Sequence, residues 1–371
     1  MENQDGKALR FFVPAAVLVA GSTLLSIVQL ILLGINLSIP ILSDESIIRS
    51  LQTALVGQLI AAIVIGVLFI PMLGLRDVKN NPLSSEGFKR TFLSIPIIMT
   101  IAFIANLVIL LIFLSLGLVS ESGYTGVLYL EEEHLADPMN VIVFFAVGCV
   151  GAPLFEELLY RRTAIPLMEE RGMHEGEAIV GSTLLFALAH VPLDLLNGNV
   201  PGAIQHFVGV FIIGFFIGIV YVMTRNVVYP IIIHAVMNGI AFVAYIGTLS
   251  ASLIVAIIFV GVVYLVMLPI GAYMAYKKLG QWISKVTENL ENVKTLAFVI
   301  MIVIYLVGIT LLPLIELAVI IILGGELLTA EMIMTYVIIL VASYITVAAI
   351  FFILSIMKSR TEMSLTTYPE Q

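Results

Sequence analysis

Apolar residues run through this chain in blocks of roughly 20, the length at which a helix crosses the hydrocarbon core of a bilayer. The blocks lie near 11–33, 52–74, 91–119, 139–160, 177–193, 202–224, 227–248, 250–276, 295–324 and 330–357, the fifth being short. They predict ten spanning helices, hence an all-α polytopic integral membrane protein. The first block, Phe11 to Leu33, is longer than a signal-peptide core and reads as an uncleaved first span.

Composition sharpens this picture. A chain of 371 residues that is 61% hydrophobic cannot be a soluble globular protein, and the lipid bilayer is its first partner. A single cysteine, Cys149, excludes an intrachain disulfide. No long basic tract suggests a nucleic-acid partner, and no Gly/Ser-rich linker suggests an appended soluble domain.

The net charge of −8 matters less than its distribution. With the loops counted from the N-terminus, every Lys and Arg except Arg49 falls on one side, from Lys7 through Arg76, Arg162, Arg225 and Lys278 to Arg360. The other side carries Glu131-Glu132-Glu133, Asp194, Glu326 and Glu331. The positive-inside rule then predicts a multi-pass protein of the cell membrane with both termini cytoplasmic. The Glu131–Glu133 run reads as a solvated loop face, with a divalent-cation patch as the alternative. Gln281 to Lys294, with Trp282, Ile283, Val286, Leu290 and Val293 at helical spacing, predicts a short amphipathic helix on the cytoplasmic surface.

Against this background, Glu156-Glu157-Leu158-Leu159-Tyr160-Arg161 stands out, because it continues the apolar run Val141–Val150. Ionisable side chains at membrane depth cost a few kcal/mol or more and are kept for a partner or a task. Glu157 and Arg161 stand at i,i+4 with the acid on the favourable side, so they pair and brace the helix. Glu156 points about 100° away and is left for something else.

Three further segments carry polar groups at depth. Phe186 and His190 share a helix face, with Asp194 four residues on and able to orient the imidazole if the helix persists past Pro192. His234 and Asn238 lie one turn apart. His206, His134 and the turn residue His174 read as bystanders, and Phe186 as packing beside its histidine. With the turn between the fourth and fifth runs centred on Met173, Glu156 and His190 are equally distant from it, about 25 Å at 1.5 Å per residue. His234 reaches the same level if that hairpin projects about 10 Å beyond the membrane face. Glu156, His190, His234 and Asn238 are therefore expected to converge.

Such a set suits hydrolysis. A carboxylate withdrawn from water serves as general base, an imidazole opposite holds the same water, and a second imidazole with a carboxamide donates to a developing oxyanion. The chain has no Gly-x-Ser-x-Gly, no His-Glu-x-x-His and no cysteine cluster.

These residues resemble the CPBP (CAAX protease and bacteriocin-processing, or Abi) family of intramembrane endopeptidases, which includes the Rce1-type prenyl proteases. The family pattern Glu-Glu-x-x-x-Arg, Phe-x-x-x-His, His-x-x-x-Asn reads here as Glu156-Glu157…Arg161, Phe186…His190 and His234…Asn238. Gly214, Gly218, Thr224 and Pro230 resemble its third segment. The resemblance implies a catalytic core at 139–248, between three N-terminal spans (1–138) and three C-terminal spans with a cytoplasmic tail (249–371). It implies proteolysis of a membrane-embedded or lipid-modified peptide, a CAAX tail or a leader peptide. Glu156 and His190 would activate water, His234 and Asn238 would form the oxyanion site, and Glu157, Arg161 and Phe186 would support them. A metal-free mechanism is the favoured reading. The alternative is a zinc site on Glu156, His190 and His234. Two other classes compete: a non-catalytic membrane immunity or peptide-binding protein, and a proton-coupled transporter. The intact motif set disfavours the first, and the lack of a visible internal repeat disfavours the second.

Overall fold

In the computed structural model the described residues are 12–38, 46–76, 81–118, 134–135, 137–196, 199–249, 253–287 and 298–309. Among them every regular element is helical and no strand occurs. The helices are α1 (Phe12–Ser38), α2 (Ser50–Met72), α3 (Ser85–Ser115), α4 (Pro138–Glu170) and α5 (Glu175–Ala189). After them come α6 (Pro192–Leu196), α7 (Val200–Thr224), α8 (Val228–Leu249), α9 (Ile257–Ser284) and α10 (Phe298–Ile309).

Seven of these, α1 to α4 and α7 to α9, are long and apolar enough to cross a membrane. The chain is an integral, multi-pass membrane protein. Each of the first eight apolar runs coincides with a helix, but the fifth forms only the 15 residues of α5, too short to span. Only residues 298–309 of the ninth run are described. The tenth run and Glu131–Glu133 lie outside the described residues.

Helix starts are written locally. Asp137 accepts from the Met139 amide (2.8 Å), Ser84 from the Gly87 amide (3.1 Å) and Asn199 from the Gly202 amide (2.9 Å). Each satisfies an N–H that the first helical turn leaves open. Proline follows in the first turn of α4 and α7, where its missing N–H costs nothing. Hydrophobic side chains of α1, α4, α5 and α7 share one continuous core, with Leu18, Leu159, Leu185 and Ile217 fully buried. α7 packs against α3, α5 and α8, which places it behind the polar segments.

One end of the bundle is tied by hydrogen bonds. Arg162 Nη2 donates to the Leu75 and Arg76 carbonyls at 2.6 and 3.0 Å. Asn81 Nδ2 donates to the Thr224 carbonyl (3.1 Å), and Asn226 Nδ2 returns a bond to the Asn81 carbonyl (2.7 Å). Arg225, at φ 51°, donates to both Glu169 oxygens (2.9 and 2.8 Å) and to Glu175. Burial alone would lower the Arg225 pKa; the two carboxylates more than reverse it. The loops after α2, α4 and α7 thus meet at one end, and these are loops that the charge sorting places on one side.

The stretch from Gln281 is not a separate surface helix. Through Thr287 it prolongs α9, with the Trp282 ring 6.0 Å from that of Phe216. Residues 288–294 lie outside the described residues.

Candidate active site

α4 supplies the acids, and its winding is irregular around them. A short α-helical stretch, Ala152–Glu156, sits between two π-helical segments, Val147–Gly151 and Glu157–Ala164. Such wide turns concentrate at functional sites because they leave backbone and side chains out of the regular register. The two neighbouring acids end in different surroundings. Glu157 and Arg161 have no exposed side-chain surface, whereas Glu156 retains 18% and His190 26%. Glu156 is the acid that a small molecule can reach.

Glu157 accepts from Arg161 Nη1 at 3.2 Å, and its other oxygen is 3.2 Å from Arg161 Nε without hydrogen-bond alignment. The pair is therefore formed, but it does not use up the acid. His234 Nδ1 lies 2.7 Å from the same Glu157 oxygen. Arg161 is likewise shared: Nη2 donates to the Gly214 carbonyl (3.1 Å), and the guanidinium carbon sits 4.3 Å over the Phe186 ring. A Cβ at Gly214 would lie 2.8 Å from Arg161 Nη2 and 3.0 Å from Phe186 Cδ1, so α7 can approach only as glycine. Phe186 is thus more than packing beside its histidine. It carries the Arg161 cation on its face and touches His190 edge-on at 4.7 Å.

His190 closes α5. Its Nδ1 lies 2.9 Å from the Phe186 carbonyl, and its Nε2 lies 4.0 Å from Glu156 Oε1. From the other side His234 Nε2 lies 3.7 Å from Glu156 Oε2. Glu156, His190 and His234 therefore converge at one level. Because a carbonyl only accepts, the His190 proton sits on Nδ1. Glu157, held by Arg161, likewise calls the His234 proton to Nδ1. In the neutral imidazoles both Nε2 lone pairs then face the Glu156 carboxylate across gaps too wide for a direct hydrogen bond. Acceptors arranged around a gap match a donor between them, such as a water molecule.

Asn238 is placed differently. Its Nδ2 donates to the Gly148 carbonyl (2.7 Å), about two turns before Glu156 on α4. One of its two N–H groups is spent there.

The same donor set bears on zinc. Two imidazoles and a carboxylate are common zinc ligands, and imidazoles bonded through Nδ1 to an outer acceptor are oriented as such ligands are. The spacing does not close around an ion: no group of three His, Cys, Asp or Glu among the described residues is near enough to hold a metal.

Asp194 does not reach His190. α5 stops at Ala189 because Pro192, which lacks an N–H and disfavours helix at the residue before it, opens the separate helix α6. Asp194 instead accepts from His206 Nδ1 at 2.9 Å, and the His206 ring lies 5.5 Å from that of His190. His206, read as a bystander, belongs to the margin of the site. A signal for it was present: Asp194 and His206 lie on either side of the junction between α6, which ends at Leu196, and α7, which begins at Val200. Tyr160 and Tyr305 share a buried hydrogen bond of 2.5 Å that links α10 to α4, a pairing that carries no sequence signal.

Comparison with known proteins agrees with these motifs. Residues 138–240, which hold all three of them, match the family model described as type II CAAX prenyl endopeptidase Rce1-like. No curated protein and no solved structure matches the chain.

Proposed function

We propose, from the match of residues 138–240 to the Rce1-like model of CAAX prenyl endopeptidases, that the chain is an intramembrane endopeptidase in which Glu156 is the general base. The observation that carries this reading is the Glu156 carboxylate between His190 Nε2 at 4.0 Å and His234 Nε2 at 3.7 Å. A water between the three is held by His190 and gives its proton to Glu156 as its oxygen attacks the scissile carbonyl carbon. The carbonyl electron pair moves to oxygen, and that oxyanion accepts from the second N–H of Asn238 and, where His234 enters the reaction as the imidazolium rather than the neutral ring, from its Nε2–H, the Nδ1–H staying on Glu157. Collapse breaks the C–N bond, and Glu156 returns the proton to the leaving amine. One water is consumed, and a carboxylic acid and an amine are released.

The substrate class is a peptide held at the membrane, by a lipid on a CAAX-type tail or by its own apolar segment. The site lies among spanning helices, which suits a substrate presented from the bilayer. A zinc-dependent version would use Glu156, His190 and His234 as ligands, with the ion supplying a Lewis acid; the tautomers favoured by Phe186 and Glu157 are the observation on its side. The test is cleavage of a prenylated CAAX peptide by the full-length protein in liposomes containing H₂¹⁸O. The account expects one ¹⁸O in the new carboxyl group, and no cleavage of this or of leader-type peptides contradicts it.

A further inference from the structure

The proposed chemistry leaves one buried ionisable pair without a task. Asp194 and His206 are joined at 2.9 Å, with side-chain exposures of only 7% and 15%. A carboxylate is costly to bury, and its retention calls for a partner or a use. The pair also stands beside the reacting groups, since the His206 ring meets His190 at 5.5 Å and an interplanar angle of 74°.

His190 follows the last residue of α5, where the backbone turns before Pro192, so the helix alone does not fix its ring. Three contacts do. Nδ1 is held by the Phe186 carbonyl, one edge meets the Phe186 ring at 4.7 Å, and the His206 ring meets it at 5.5 Å. The first two come from one residue on the same helix. The third comes from α7, through a ring that Asp194 on α6 holds by its Nδ1. Because α6 leaves α5 at Pro192 and packs on α7, Asp194 lies where it can set the His206 ring plane.

We propose that Asp194 and His206 are positioning residues for the hydrolytic reaction: Asp194 fixes the His206 ring, and that ring fixes the direction in which His190 Nε2 faces Glu156. The inference rests on His190 acting in the proposed hydrolysis. Misplacement of such a group by about 1 Å costs up to a hundredfold in rate without weakening substrate binding.

Two conservative changes separate this role from a structural tie and from a proton relay. His206→Gln keeps a donor for Asp194 but removes the ring against His190. Asp194→Asn keeps an acceptor for His206 Nδ1 but removes the charge. Both are measured in the full-length protein on the prenylated peptide, with wild type and Glu156→Gln alongside and thermal unfolding of each. Positioning predicts that His206→Gln lowers kcat about ten- to a hundredfold with KM within about twofold. Asp194→Asn, which keeps an acceptor but weakens the hold on the ring, lowers kcat less than His206→Gln does, and both unfold near the wild-type temperature. Equal, near-normal activity of the two variants reduces the pair to a tie between α6 and α7 and overturns the proposal. Equal loss in both, with unfolding unchanged, makes the charge the essential feature and also overturns it. Should His206→Gln fold poorly, Asp194→Ala tests the same link from the other side: it frees the His206 ring and is expected to lower kcat about tenfold with KM little changed, and an unchanged kcat in folded protein counts against the proposal. A wild type that cleaves nothing sinks the hydrolytic reading itself, a separate result.

Discussion

His234 Nδ1 lies 2.7 Å from the Glu157 oxygen that also accepts from Arg161. The second acid of the Glu156-Glu157 pair therefore works across helices: it joins Arg161 on its own helix to the imidazole that faces the first acid. Removing it should disturb both, and Glu157→Ala is expected to lose about 3–5 kcal/mol of stability, as breaking a buried ion pair does. Arg161→Ala should cost a similar amount. In a double-mutant cycle followed by unfolding in detergent, the two losses should fall short of adding. The double variant should still lack activity, because His234 has lost its anchor. Simple additivity would show that the residues do not act as a pair.

Gly214 gives a steric test of the same cluster. Gly214→Ala places a methyl 2.8 Å from Arg161 Nη2 and 3.0 Å from Phe186 Cδ1. Overpacking of this kind costs about 1–3 kcal/mol and should lower both unfolding temperature and activity. Gly66, with nothing within 4 Å of its added Cβ, is the control, and Gly66→Ala should not destabilise. Equal behaviour of the two would mean that α7 is free to back away from Arg161.

How much of this was legible in the sequence follows from the range of each interaction. Glu157 with Arg161, and Phe186 with His190, are neighbours within one helix, and helical spacing reveals them. The meeting of Glu156 with His190 came from equal distances to a turn. What stayed hidden depended on side-chain geometry between helices: the Glu157–His234 bond, the Asn238–Gly148 bond, and Tyr160 with Tyr305. Asp194 meets His206 rather than His190 because the helix does not persist past Pro192, the condition on which the i+4 reading depended. The failure of α5 to span was foreshadowed by its short run, and the π-helical turns around Glu156 have no marker in composition.

Topology is tested by the loops. If the positive-inside sorting holds, cysteines placed at positions 79 and 278 label from the cytoplasmic side and a cysteine at 132 from the opposite side, in a Cys149→Ser background. Labelling of positions 79 and 132 from one face would overturn the positive-inside sorting.

Metal dependence is decided by content and activity together. The metal-free account expects purified active protein to keep its turnover through chelation and to carry no stoichiometric zinc. On the zinc account His190→Ala and His234→Ala would both release the ion, and chelation would mimic them. Stoichiometric metal lost together with activity in either variant would contradict the metal-free account.

The central claim is that Glu156 takes the proton from the attacking water. Glu156→Gln preserves the side chain's size and leaves Glu157, Arg161 and both imidazoles in place, so peptide binding should persist. The decisive measurement is single-turnover cleavage of a prenylated CAAX peptide by this variant beside wild type, with peptide affinity measured on the same preparations. The account predicts affinity within about threefold of wild type and a rate at least a hundredfold lower, the scale of losing a general base. Cleavage by Glu156→Gln at a rate near that of wild type would contradict it.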